Sequence, residues 1–240
     1  MMVVGPPLSA GPLPTLFYFA LSAEDSLYTA PYNQPVTYLA LDQVRVVSMT
    51  LPGHGPGLKD TDAFSRWAYD IGRGHNPLHA FLEEAQQQIQ GGIAAGWIDP
   101  SRLAVAGLSR GAFVATHLAA REKQIGAILG YAPLTHLEET SEFLPFQHHP
   151  IVKSIQLRPL YPSLIGRPLL YLIGNYDTRV GTEKCFQTIQ ELTEASIEAG
   201  IRTPPVELII GPSIGHKGHG TPPERFKAGI DWLRRQWSLK

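Results

Sequence analysis

The stretch Leu103-Ala104-Val105-Ala106-Gly107-Leu108-Ser109-Arg110-Gly111-Ala112-Phe113-Val114 decides the fold. An apolar run ends in Gly-x-Ser-x-Gly, and a segment with helical spacing begins at once. A strand that turns sharply into a helix places its serine at the crest of the turn. Side chains two positions either side of that serine would collide, so both must be glycine. The hydroxyl of Ser109 is thereby lifted above the sheet edge. The amide dipoles of the helix N-terminus face any negative charge that develops there.

Working outward, six short apolar runs read as strands: Thr15–Leu21, Val44–Leu51, Leu103–Leu108, Gly126–Ala132, Pro168–Gly174 and Val206–Gly211. Most are continuously apolar, as expected of strands covered on both faces. Between them, 79–95, 111–123, 182–199 and 222–237 carry helical spacing, and a further helix is expected over 62–71. Thr221-Pro222-Pro223-Glu224 reads as a capping box opening the last helix. Strand and helix alternate, which predicts an α/β domain over 1–240 with a doubly wound, mostly parallel sheet of about six strands. Its reactive edge is expected at the carboxyl ends of the strands. Two connections are long, 53–77 and 134–166, and both are expected to overhang that edge. The second is read as a small cap-like insertion.

Composition narrows the function. The chain has 240 residues, 43% apolar and 17% charged, and a formal net charge of −1. That balance suggests neither a nucleic-acid footprint nor a polybasic membrane surface. The longest apolar stretches fall short of the ~18 residues a membrane helix needs. One cysteine, Cys185, excludes an internal disulfide framework. Residues 1–14 carry no basic residue and no sustained apolar run, so a cytoplasmic location is the expectation. No H-E-x-x-H motif, P-loop or dinucleotide fingerprint occurs, so neither a metal nor an organic cofactor is expected. Oligomeric state is left open.

A serine hydroxyl is a poor nucleophile until a base takes its proton. Asp177, in Gly174-Asn175-Tyr176-Asp177, is the acid just beyond the fifth apolar run and is suited to orient an imidazole. The loop Gly211-Pro212-Ser213-Ile214-Gly215-His216-Lys217-Gly218-His219-Gly220 offers two histidines. His216 stands at a usual distance from the strand. His219 lies closer to the final helix and has glycine on both sides, which eases a tight approach to Ser109. Of the other histidines, His54 reads as a turn residue and His117 as a helix residue. His75, His79 and His136 carry no stronger reading, and His148 and His149 fall in the expected cap.

These features resemble the α/β-hydrolase superfamily, nearest its dienelactone hydrolase and prolyl-oligopeptidase-like esterase branch. Asp99-Pro100-Ser101-Arg102, Ala132-Pro133-Leu134 and Asp177-Thr178-Arg179-Val180 add to the likeness. Two departures stand out. Only about 14 residues precede the first parallel strand, where the family has an antiparallel hairpin. Phe19-Ala20-Leu21-Ser22 stands where the family has His-Gly. By position, the resemblance implies an oxyanion hole formed by the backbone amides of Leu21 and Arg110. It implies a serine hydrolase acting on a small acyl substrate through an ester-like bond. A peptidase or amidase is the alternative within the class, and a non-catalytic ligand-binding protein on the same scaffold is the alternative outside it. No propeller-sized addition accompanies the domain, which points to small substrates.

Overall fold

A computed structural model describes residues 1–55 and 57–239. The strands are β1 (Met2–Val4), β2 (Leu13–Phe19), β3 (Arg45–Ser48), β4 (Ile98–Leu108), β5 (Ala127–Tyr131), β6 (Leu169–Gly174) and β7 (Val206–Gly211). The helices are α1 (Ala23–Tyr28), α2 (Gln34–Leu39), α3 (Ala63–Gly72), α4 (Pro77–Ala94), α5 (Arg110–Arg121), α6 (Pro150–Ser154), α7 (Tyr161–Leu164), α8 (Thr182–Glu198) and α9 (Pro223–Gln236). Among the described residues the strands form one seven-stranded sheet in the order β1-β3-β2-β4-β5-β6-β7. β1 is antiparallel to β3, and the rest are parallel.

Period two divides the core. Leu16 and Tyr18 of β2 pack with Ala104, Ala106, Leu129 and Leu172 beneath α1, α2 and α9. Phe17 and Phe19 point the other way, with Val105, Ile128 and Ile173, beneath α3, α4, α5 and α8. Both faces of the central strands are therefore buried, which is why their sequences show no polar alternation. β7 is an edge strand and leaves Ile209 and Ile210 partly exposed.

Two expectations need correction. The sheet has seven strands rather than six, because Met2–Val4 pairs with Val46–Ser48. A three-residue strand is too short to show a period. The segment that follows it is tied down by Arg45, fully buried, whose guanidinium donates to the carbonyls of Pro6, Pro7, Gly11 and Trp97. The capping box at Thr221 does not form. Pro222 is the N-cap of α9, without a side-chain cap bond, and the Thr221 hydroxyl has no hydrogen-bond partner. Side-chain caps do form at other helices. Asn76 accepts from the Leu78 amide at 3.1 Å, and Ser22 from that of Asp25 at 3.0 Å.

The connections over 53–77 and 134–166 differ in placement. Leu137, Phe143, Val152, Ile155, Leu157 and Leu164 of the second are buried in the core cluster beneath α5 and α8. Among the described residues no helix is long and apolar enough to cross a membrane.

Candidate active site

β2 leads on one side to β3 and on the other lies against β4, so the strand order switches direction between β2 and β4. A crevice is expected at such a point, and Ser109 stands there as the residue between β4 and α5. Ser109 has φ 55° and ψ −116°, a sparsely populated conformation for a residue with a side chain. It is held by its N–H to the Tyr131 carbonyl (2.8 Å) and by the amides of Ala112 (3.0 Å) and Leu134 (3.1 Å) on its own carbonyl. A Cβ on Gly107 would overlap the Gly111 backbone, and one on Gly111 would overlap the Phe19 carbonyl. The two glycines of the motif are therefore steric requirements.

Asp177 follows β6. Its side chain is completely buried. Oδ1 accepts from the amides of Arg179 (2.9 Å) and Val180 (3.1 Å), and Oδ2 accepts from His219 Nδ1 at 2.7 Å. Burial pushes this carboxyl up. The His219 hydrogen bond and charge, with the two amides, outweigh burial and hold it below the usual carboxylate range.

The histidine loop is stitched to the aspartate loop. The Asn175 amide donates to Gly211 O (2.7 Å), that of Thr178 to Lys217 O (2.9 Å) and that of Tyr176 to Ser213 Oγ (2.6 Å). Gly218, at φ 72°, lies so close to the Tyr176 carbonyl that a Cβ would overlap it. This seam carries His219 over Ser109. With Nδ1 protonated toward Asp177, Nε2 accepts from the Ser109 hydroxyl at 2.8 Å. The structure thus joins Ser109, His219 and Asp177 in one hydrogen-bonded chain. His216 is exposed and lines the same cavity without entering the chain.

The cavity has a volume of about 520 Å³. Its apolar walls include Leu21, Tyr32, Phe64 and Phe226, and polar groups are supplied by His54, Thr61, Arg110 and Arg179. Phe64 lies between two guanidinium groups, Arg110 at 5.0 Å and Arg179 at 4.7 Å from its ring. Arg179 is also held by a two-pronged contact with Glu142 at 2.8 and 3.1 Å. Arg110 is bonded to His54 Nε2.

The amides expected from the resemblance differ from each other. Arg110 is the first residue of α5, at the positive end of the helix. The Leu21 N–H is turned to Ser26 Oγ at 3.1 Å, an acceptor it shares with the Ala20 N–H at the same distance. Ser26 is fully buried and in turn donates to the Ser22 carbonyl at 2.6 Å.

Sequence reasoning missed the cavity positions of His54, Tyr32 and Phe64. Only His54 carried a signal, as a glycine-flanked histidine just past a strand. His117 is a core residue bonded to the Ile155 carbonyl at 2.9 Å, and burial lowers it to about 4. His149 caps α6. Among the described residues no group of three or more His, Cys, Asp or Glu side chains is arranged to hold a metal ion.

No protein-family model matches the chain, and no curated protein matches it in sequence. Solved structures do match. TT1662 from Thermus thermophilus is 20% identical, with 96% of this chain and 91% of that one covered and a TM-score of 0.65. The Pyrococcus furiosus esterase Pf2001 is 19% identical, with 93% and 82% covered and a TM-score of 0.60. A puromycin-hydrolyzing peptidase of Mycobacterium tuberculosis is 17% identical with a TM-score of 0.64. There 94% of this chain spans only 35% of the peptidase. The fold of the chain is that of the α/β-hydrolases.

Proposed function

We propose that the protein is a serine hydrolase that cleaves a carboxylic ester-like bond in a small acyl substrate. The observation that carries this reading is the chain of hydrogen bonds from Ser109 Oγ through His219 to Asp177, at 2.8 and 2.7 Å, on the wall of a cavity large enough for a small molecule. Ser109 attacks the carbonyl carbon while His219 Nε2 takes its proton. Asp177 holds the Nδ1–H tautomer and offsets the charge of the imidazolium. The tetrahedral oxyanion is met by the Arg110 amide and by the Leu21 amide, whose N–H exchanges Ser26 Oγ for the incoming oxygen. Collapse expels the alcohol, which takes its proton from His219. Water then attacks the acyl-enzyme by the same route in reverse, releasing the acid and restoring Ser109. No cofactor enters this scheme.

A fluorophosphonate probe tests the reading. Wild-type protein is expected to be labelled on Ser109, and Ser109→Ala to abolish labelling. A folded wild type that resists the probe and hydrolyses no acyl substrate would favour a ligand-binding role instead. Peptide cleavage is the second reading, favoured by the likeness to the hydrolase portion of longer peptidases. Short-chain p-nitrophenyl esters set against aminoacyl anilides separate the two, with esters expected to turn over faster.

A further inference from the structure

Among the described residues the sheet ends in two strands of unequal length. β1 has three residues, whereas β7 has six and pairs with β6 without a register shift. Edge strands are ordinarily blunted by lysine, proline or a bulge. Val206–Gly211 contains none of these. Ile209 is 42% exposed and Ile210 47%.

The backbone shows which groups are free. The Pro205 carbonyl accepts from the Leu169 amide at 2.9 Å, and the Gly211 carbonyl from that of Asn175 at 2.7 Å. The odd-numbered residues of β7 therefore turn their N–H and C=O groups to β6, and Val206, Leu208 and Ile210 turn theirs outward. Pro204 and Pro212, next on the outward side, have no N–H, so the free ladder is bounded at both ends. The helix beside this edge adds an uncharged flank. On one side of α8, Lys184 pairs with Glu139 at 2.9 Å and Glu191 accepts from Tyr161 at 3.2 Å, both in the connection over 134–166. Phe186, Gln190, Thr193 and Ile197 recur at helical spacing on the other side, toward β7. Phe186 and Ile197 are exposed.

We propose that β7 is a self-pairing edge, on which a second copy of this chain docks its own β7 antiparallel. The two-fold axis passes through Leu208. Val206 of one protomer lies opposite Ile210 of its partner, and Leu208 opposite Leu208, each pair exchanging two backbone hydrogen bonds. These side chains are all apolar and share the face covered by α8. Glu207 falls opposite Ile209 on the other face, clear of its own copy, and accepts from the Trp232 indole at 2.6 Å. The neighbouring registers oppose Glu207 to Glu207 or set Val206 against Pro212. Backbone parity and charge thus select one register, and its self-complementarity selects the occupant. The proposal is independent of the serine chemistry.

Sedimentation equilibrium of the full chain from about 1 to 100 μM tests it. A mass of twice 26.3 kDa is expected in the upper part of that range. Ile210→Lys alters both symmetry-related pairs with Val206 and should weaken the dimer by about tenfold or more. Ile210→Thr keeps strand propensity, covers the case in which lysine disturbs folding, and should shift the equilibrium the same way. Glu207→Cys combined with Ile209→Cys reads the register. That non-hydrogen-bonded pair stands about 4.5 Å apart between Cα atoms and should form a disulfide between copies under mild oxidation. The native Cys185 is buried and does not compete. A wild type that stays monomeric at about 100 μM overturns the proposal and leaves the edge to an extended segment of another protein. A dimer unmoved by Ile210→Lys, or not cross-linked by the cysteine pair, overturns it as well, since the interface would then lie elsewhere.

Discussion

The loops after β6 and β7 and the turn after β2 flank Ser109 on opposite sides, and they use their polar groups in opposite ways. On the first side, hydrogen bonds run between loops and deliver side chains to the serine: Thr178 to Lys217, Tyr176 to Ser213, and finally His219 to Ser109. On the second side, hydrogen bonds close inward. The Ala20 and Leu21 amides end on Ser26, and the Ala23 amide ends on Thr50 Oγ1 at 3.1 Å. One side presents chemistry carried by side chains. The other stabilises a tight turn whose proposed part in catalysis is a backbone N–H. A functional group on a side chain can be read from residue type, whereas the direction of an amide depends on the turn around it.

That contrast can be broken first where it is largest. His219→Ala should lower kcat by about 10⁴–10⁶-fold, whereas His216→Ala should cost less than about tenfold. Steady-state assays of both on one ester check this, and equal losses would erase the distinction between the two histidines. Next, Asp177→Asn should cost about 10⁴-fold in kcat with little change in KM, because the imidazole loses the acceptor that sets its tautomer. A large KM effect with kcat intact would place Asp177 in substrate binding.

The inward-closing side should respond differently. Ser26→Ala leaves the buried Ala20 amide without its acceptor, at about 1–3 kcal/mol, and frees the part-buried Leu21 amide. A lower thermal midpoint and a fall in turnover of about 10–100-fold are expected. Unchanged melting would mean that the turn holds without the hydroxyl.

The smallest effect separates the sides by pH. Asp177 has a depressed carboxyl in the folded chain. Its contribution to stability is therefore present above the unfolded value of about 3.9 and is lost as pH falls through the folded value. In urea melts, the stability gap between wild type and Asp177→Asn should narrow as pH falls below about 4. The contacts of Ser26 involve no titratable group, so its gap should stay flat. A flat gap for Asp177→Asn would contradict the ionic character of that side.

Legibility follows the same division. The six runs read as strands all appear in the sheet, five within three residues of their expected bounds and β4 beginning five residues early, at Ile98. Continuous Val, Leu, Ile and Phe are what a doubly covered strand requires, and the code is local. β1 is illegible because three residues hold no period and its partner strand, β3, stands about forty positions away. The false capping box at Thr221 has a local cause too: Pro222 takes the cap position, so the threonine hydroxyl falls one residue early. Ser109 and Asp177 are legible as candidates because Ser109 directly follows β4 and Asp177 lies three residues past β6. The histidine was legible only as a pair. Nothing near in sequence says which of two loop positions reaches a serine 110 residues away.

From its residues alone, then, this chain fixes the alternation of strand and helix, the crest that exposes Ser109, and the side on which an acid and a base must stand. Those features depend on neighbours within a few positions, where sterics and burial act directly. Tertiary structure decided which imidazole arrives, where the Leu21 N–H points and which rings wall the cavity. Each of these depends on two loops meeting at hydrogen-bond distance. Such a meeting is set by how helices seat on the sheet, and no local pattern encodes it.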